Sequence, residues 1–301
     1  MSASRAPGGP RARRALVTGA AGMLGSELLR CVPQGWEAVG TDLAPQATIA
    51  GLDLADEAAL ERAWREHGPF DAVLHCAAYT AVDKAESERE LAERVNVVAS
   101  RTLAQTCARH GARMVAVSTD FVFDGASTRP YVESDEARPL SVYGATKLAG
   151  ERALLETLPG NSAVVRTQWL YGPRGKHFPR TIAAFARERG ELKVVDDQTG
   201  APTTTLELAP ALWDVLASSE NGLFHAACEG SCTWFGFTRA ILEELGLTHV
   251  RLEPCTTDAF PRPARRPAYS VLDSSRLARL RGKRLTHWRD ALKAYLQVET
   301  P

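Results

Sequence analysis

Ala15-Leu-Val-Thr-Gly-Ala-Ala-Gly-Met-Leu-Gly25 is a short apolar run that ends directly in glycines, and a helical pattern over Met23 to Arg30 follows at once. Strand, glycine-rich turn and helix in that order present free N–H groups and the positive end of a helix dipole to a pyrophosphate. Gly19 permits the turn, Gly22 lets a phosphate approach the backbone, and Gly25 allows the helix to pack closely on the strand. With Met23 and Leu24 they are the first candidate cofactor contacts. The spacing is Gly-x-x-Gly-x-x-Gly, not Gly-x-Gly-x-x-Gly, so the turn alone does not decide the ligand.

Further on, Trp36-Glu-Ala-Val-Gly-Thr-Asp42 reads as a second strand that ends in a carboxylate. Asp42 can accept hydrogen bonds from an adenosine ribose and would repel a 2′-phosphate, which leans the cofactor towards NADH; a plain turn aspartate is the alternative. The chain then alternates. Asp56 to His67 reads as a helix capped by Asp56 and closed by Gly68, Asp71 to Cys76 as a strand, Glu90 to His110 as a helix, and Arg113 to Ser118 as a strand. Continuous apolar strands alternating with helices predict an α/β fold, a Rossmann-like doubly wound parallel sheet covered on both faces. Ligands gather at the carboxyl ends of such strands. This singles out Asp42, Asp53 and Leu54, His75 to Tyr79, and Ser118 to Asp120. Asp53 can accept from an adenine amino group, Ala77 and Ala78 are small enough for a cofactor to lie close, and His75 reads as a core or rim histidine.

Tyr143 and Lys147 stand four residues apart in Leu140-Ser-Val-Tyr-Gly-Ala-Thr-Lys-Leu-Ala-Gly-Glu151. On a helix they share a face, so the ammonium can lie near the phenol and favour its ionised form. A dinucleotide site combined with a tuned proton donor is the equipment of a hydride-transfer enzyme. Tyr-x-x-x-Lys alone is common on exposed helices; its position after the glycine-rich turn gives it weight.

The chain has 301 residues, enough for one large domain or two modest ones. Its 36 Lys and Arg balance 36 Asp and Glu, so no net field draws it to nucleic acid or a membrane surface. No apolar run approaches the roughly 20 residues that span a bilayer. The six cysteines lack a Cys-x-x-Cys spacing and fit free thiols in a reducing cytoplasm. Cys228 and Cys232 have no further ligands to complete a zinc site, and no metal is assigned. Residues 1–12, rich in Arg, Gly and Pro, read as a disordered tail.

After Ser162 to Arg166, the last clear strand, regular alternation breaks down and aromatic and basic residues accumulate. A discontinuous arrangement is expected. A nucleotide-binding domain takes 13–170 plus about 203–227, with a helix over Leu206 to Leu216 and a strand over Asn221 to His225. A smaller substrate lobe takes 171–202 and 228–301, with helices over Trp234 to Leu245, Ser274 to Leu280 and Trp288 to Leu296. Trp169 can pack its indole on a sugar ring, and Phe178, Arg180, Arg262, Arg265 and Arg266 are candidates for base stacking or diphosphate pairing. Arg266 is the one chosen, because a guanidinium fork binds two oxygens at once.

Val17-Thr-Gly-Ala-Ala-Gly-Met-Leu-Gly25, Ala77-Ala-Tyr-Thr-Ala-Val-Asp-Lys-Ala-Glu86, Ser118-Thr-Asp-Phe-Val-Phe-Asp-Gly125, Tyr143-Gly-Ala-Thr-Lys147 and Asp197-Gln-Thr-Gly-Ala-Pro-Thr203 together resemble the extended short-chain dehydrogenase/reductase family, and within it the dTDP-4-dehydrorhamnose reductases. The resemblance implies reduction of the 4-keto group of a dTDP-6-deoxyhexose by NADPH or NADH, for polysaccharide synthesis. It implies Thr119, Tyr143 and Lys147 as the catalytic set, with Lys147 also on the nicotinamide ribose. Tyr79 joins the cofactor contacts, and Thr80, Asp120 and Phe121 those to the sugar. Asn96 matches a residue that orders a relay water in the wider superfamily; a helix-bending asparagine is the alternative. Some members dimerise through a metal held by glutamates, so a homodimer with Mg2+ at its interface is implied, without assigned residues. Phe121, His75 and Gln168 depart from the family pattern. The rival readings are a sugar-nucleotide epimerase or 4,6-dehydratase, which needs a carboxylate where Phe121 stands, and a non-catalytic subunit like the regulatory β-subunit of methionine adenosyltransferase.

Overall fold

Leu16 and Val17 are adjacent and both fully buried, which a strand achieves only when each of its faces is covered. Leu16 packs with Leu60, Val73, Leu103, Met114 and Leu154 on one side of the sheet. Val17 packs with Leu28, Leu74, Val115, Leu212 and Phe224 on the other. Burying each such side chain is worth about 1.5–3 kcal/mol, so the two layers dominate the stability of this half. The computed structural model describes residues 11–299; the expected tail lies outside them except for Arg11 and Ala12.

The sheet has seven strands, in the order Gly222–His225, Ser162–Thr167, Arg113–Thr119, Ala72–His75, Arg13–Thr18, Trp36–Asp42, Ile49–Ala50, and every pairing is parallel. From Arg13–Thr18 the chain moves outward to Ile49–Ala50, then returns to Ala72–His75 on the other side and continues in the opposite direction. Arg13–Thr18 and Ala72–His75 thus flank the switch point, where a crevice opens beyond the carboxyl ends.

Asp56 caps the expected helix Glu57–His67, accepting from Ala59 N at 3.0 Å. The helix expected over Glu90 to His110 differs in detail. It runs as Arg89–Glu93, a π turn Arg94–Val98 and then Ala99–His110. At that turn it meets Gly150 so closely that a Cβ there would stand 2.3 Å from the Asn96 carbonyl oxygen.

The second core gathers Tyr171, Ile182, Phe237, Ile241, Leu292 and Tyr295. It is built from the helices Phe178–Arg189, Trp234–Glu244 and Trp288–Val298 and a parallel pair of strands, Glu191–Val195 with Arg251–Cys255. Neither the first helix nor the strand pair was expected from the sequence. Leu277 and Leu285, which fall in the 228–301 segment expected to form the second lobe, pack instead into the core of the large sheet.

Candidate active site

A cleft of about 760 Å3 lies over the switch point, within the range of small-molecule sites. Gly19, Gly22, Met23, Leu24 and Gly25 line one end of it. Gly19 has φ +66°, and a Cβ there would stand 2.8 Å from Ala77 N; a Cβ at Gly25 would stand 2.1 Å from Gly19 O. At both positions backbone packs against backbone with no room for a side chain, so only glycine builds this turn. The helix Met23–Arg30 starts without a side-chain cap and has no acidic residue in its first turn, so its N–H groups remain available to an anion. Asp42 borders this end, its carboxylate accepting from Ala21 N and Ala44 N at 3.0 Å each. Asp53, Leu54, Ala77 and Ala78 also line the cleft. On its floor Ser118 Oγ, Thr167 Oγ1 and Gln168 Nε2 are buried without a partner among the described residues. A tight glycine turn, an uncapped helix start and orphaned polar atoms suit a nicotinamide dinucleotide.

Tyr143 and Lys147 enter the same cleft from the helix Val142–Thr157. Ser141 caps that helix, accepting from Gly144 N at 3.2 Å. A Cβ at Gly144 would stand 2.2 Å from the Phe121 carbonyl oxygen, so only glycine lets the helix start lie against the end of Arg113–Thr119. This contact sets the Tyr143 ring edge-on to Phe121, with centroids 5.6 Å apart, and its hydroxyl against Thr119. Thr119 Oγ1 donates to Asp120 at 3.1 Å and accepts from Phe121 N at 3.2 Å.

The electrostatics differ from the expected tuning. Burial pushes the Tyr143 phenol up to about 12; Thr119 pulls it down and the Asp120 charge pushes it further up, while Lys147 is not among the groups acting on it. The Lys147 ammonium instead donates to the Val117 carbonyl at 2.8 Å, and burial lowers it to about 8 against the opposing pull of Glu151. Asp120 is raised to about 6 by burial, against the pull of Ser270 and Thr119. Tyr143 is thus a neutral phenol at ordinary pH. That is the form a proton donor must start from.

A second groove of about 640 Å3 adjoins the cleft, and Asp120, Phe121 and Trp169 line both. Trp169 is not a free platform. Trp234 stacks on it at 3.5 Å and 7°, and Gly200 abuts it so closely that a Cβ would stand 2.5 Å from Cε2. Trp234, expected as mere packing, shares the groove wall with Phe178. Arg266 lines the groove, but its fork is occupied by Asp83, at 2.9 and 2.8 Å. Arg262 also lines it and makes no hydrogen bond among the described residues. Arg180 is spent elsewhere, on Glu299 and the Pro173 carbonyl.

Two expected cofactor contacts stand outside the cleft wall. The Tyr79 hydroxyl turns to Glu88, donating at 2.6 Å, which pushes its phenol up to about 12. Asn96 is buried; its Oδ1 accepts from Tyr79 N at 2.9 Å, and its Nδ2 donates to Thr146 Oγ1 at 3.0 Å and to the Tyr79 carbonyl at 3.3 Å. Asn96 thus ties the segment after Ala72–His75 to the helix of Tyr143 and is not presented to the cleft. Thr80 lines the dinucleotide cleft, not the groove. Asp53 does line the cleft, with Arg94 already donating to it at 2.6 Å. His75 is a core residue, its ring nitrogens 2.8 Å from Thr18 Oγ1 and 3.2 Å from Ser100 Oγ, and burial lowers it to about 3. Arg94, Val95 and Lys176 line the cleft without having been singled out in the sequence. No group of three or more His, Cys, Asp or Glu among the described residues is arranged to hold a metal. No described helix is long and apolar enough to cross a membrane.

A parallel sheet with a dinucleotide-shaped crevice, and a phenol, an ammonium and a threonine at its inner end, is the architecture of a short-chain dehydrogenase/reductase. Residues 13–300 match the family described as RmlD substrate binding domain, and the chain belongs to it. It is 44% identical to the dTDP-4-dehydrorhamnose reductase of Mycobacterium tuberculosis H37Rv over 292 residues, covering 95% of this chain and 93% of that one. Among solved structures, it is similar to a dTDP-4-dehydrorhamnose reductase from Clostridium acetobutylicum (TM-score 0.88, 39% identity, 95% of this chain and 99% of that one). It is equally similar to the Bacillus anthracis dTDP-4-dehydrorhamnose reductase in complex with NADP (TM-score 0.88, 34% identity, 96% and 99%).

Proposed function

We propose that the protein reduces the 4-keto group of a dTDP-4-dehydro-6-deoxyhexose with NAD(P)H, converting dTDP-4-dehydro-L-rhamnose to dTDP-L-rhamnose. The observation that carries this reading is the position of Thr119 and Tyr143 at the junction of the two cavities, beside the three residues that line both. Bound in the cleft, the dinucleotide supplies the hydride. Tyr143 gives its proton to the alkoxide oxygen as it develops, and Thr119, its hydroxyl hydrogen turned from Asp120, donates a hydrogen bond to that oxygen. Lys147, its ammonium held by the Val117 carbonyl, fixes the ribose. The groove takes the nucleotide, with Phe178 and Trp234 offering aromatic faces and Arg262 a cation for the diphosphate.

Phe121 speaks against the dehydratase, which needs a carboxylate at that place to act as base, and its ring is instead packed on Tyr143. Incubation with dTDP-4-keto-rhamnose is expected to consume one NADH or NADPH for each sugar reduced. Sugar conversion without net cofactor oxidation would favour the epimerase or dehydratase. Co-purification with a synthetase and no oxidation on any keto-sugar would favour the regulatory subunit.

Asp42 beside the glycine-rich turn supports a preference for NADH. Asp42→Ala is expected to raise kcat/KM for NADPH relative to NADH by about tenfold, the loss of one repulsion of roughly 1.4 kcal/mol. A ratio that stays unchanged removes Asp42 from this role. A cytoplasmic homodimer completes the reading, and sedimentation with and without EDTA tests whether Mg2+ takes part in it.

A further inference from the structure

Three cationic side chains among the described residues line the cleft, and two are engaged: Lys147 on the Val117 carbonyl and Arg94 on Asp53. The third, Lys176, makes no hydrogen bond or ion pair among the described residues. It sits on the segment 173–177, which follows the short strand Leu170–Tyr171, paired with Thr203–Thr204 outside the large sheet, and leads into the first helix of the second core. That segment is held firmly. Arg180 donates to the carbonyls of Pro173, at 3.0 Å, and Gly175, and ion-pairs with Glu299 near the end of the last helix. His177 caps Phe178–Arg189 and lies 3.2 Å from the Tyr295 hydroxyl. The segment also reaches the glycine-rich turn: a Cβ placed on Gly175, whose φ is +77°, would stand 3.8 Å from Met23 Cε.

We propose that Lys176 is a cofactor-binding residue that neutralises the pyrophosphate of the dinucleotide, on a strap that the second lobe lays across the start of the helix Met23–Arg30. The proposal rests on the dinucleotide reading above. Asp42 and Asp53 make the adenosine end of the cleft acidic, and the uncapped helix start supplies only partial charges to a doubly charged group. A full positive charge from Lys176, on the wall of the same cleft, offsets half of it. Arg180 and Glu299 act through the strap as positioning residues, so the far end of the chain contributes to cofactor affinity.

Dissociation constants for NADPH, ADP-ribose and adenosine, measured by fluorescence or calorimetry at several salt concentrations, test this. Lys176→Met is expected to weaken NADPH and ADP-ribose alike by about tenfold at low salt, to leave adenosine unchanged, and to flatten the salt dependence of binding. Lys176→Arg should bind as the unaltered protein does. Arg180→Met should weaken the same two ligands in the same direction, since it frees the strap. Unchanged NADPH and ADP-ribose binding by Lys176→Met, with the same salt dependence, overturns the proposal and leaves the oxidoreductase reading standing. Failure of the unaltered protein to bind either ligand overturns that reading, and the proposal with it.

Discussion

Tyr143→Phe lowers turnover by at least about a hundredfold and leaves dinucleotide affinity nearly unchanged. The ring is held by its edge contact with Phe121, and the helix that carries it is fixed by the Ser141 cap and by Gly144 against Phe121. Phenylalanine preserves all of this and removes only the hydroxyl, with its proton and its contact to Thr119. Burial keeps the phenol neutral, pushed up to about 12, so the acid is fully protonated when the ketone arrives. The same burial makes it a reluctant donor. Its proton moves because hydride addition turns a weakly basic carbonyl into a strongly basic alkoxide, and Thr119 meets the charge as it forms. Steady-state assays with NADH and keto-sugar, beside a cofactor titration, separate the two expectations. Near-normal turnover rejects Tyr143 as the acid, and a parallel loss of cofactor binding makes it a structural residue of the cleft.

The strands and the glycine-rich turn were legible because their signals are local. Leu16 and Val17 announce a strand buried on both faces, and Gly19 and Gly25 stand where a Cβ has no room. Other residues take their places from partners distant in the sequence. Arg266 reads as an open fork, but Asp83, 183 positions away, fills it. Asn96 and Tyr79, 17 apart, satisfy one another across a π turn that no 3.6-residue period reveals. The helix Phe178–Arg189 was concealed by Pro179, which reads as a breaker but is well suited to a first turn; Gly190 at its end, with φ +69°, was the overlooked stop signal. Pro254 similarly disguised Arg251–Cys255, which tolerates it in a two-stranded ladder. The expected Tyr143–Lys147 coupling failed for a geometric reason. Sharing a helix face allows contact without compelling it, and the Val117 carbonyl claims the ammonium.

Glu151→Gln should damage the protein twice, by separable routes. Glu151 follows Tyr143 and Lys147 on the same helix face, one further step of four residues along. Its carboxylate takes a two-pronged hydrogen bond from Arg166, Nε to Oε1 at 2.9 Å and a second nitrogen to Oε2 at 2.6 Å, with both side chains 3% exposed. Removing one charge from a pair so deeply buried leaves a guanidinium without its counter-ion and costs about 3–5 kcal/mol. Glutamine keeps one acceptor, which places the loss towards the lower end, and urea denaturation measures it. The second effect reaches the active site. Lys147 is lowered to about 8 by burial, and Glu151 is the charge that resists this fall. Without it the ammonium is lost at a lower pH, because an amine is charged only below its pKa, so the alkaline limb of the kcat profile moves towards neutrality. Replacing the whole pair, Glu151→Leu with Arg166→Met, should recover much of the stability, since apolar side chains of similar volume serve as well as a buried ion pair. It should not restore the alkaline limb, because the carboxylate near Lys147 is still absent. Recovery of both together would make the pH shift a consequence of loosened packing, and recovery of neither would remove the ion pair from the account of stability.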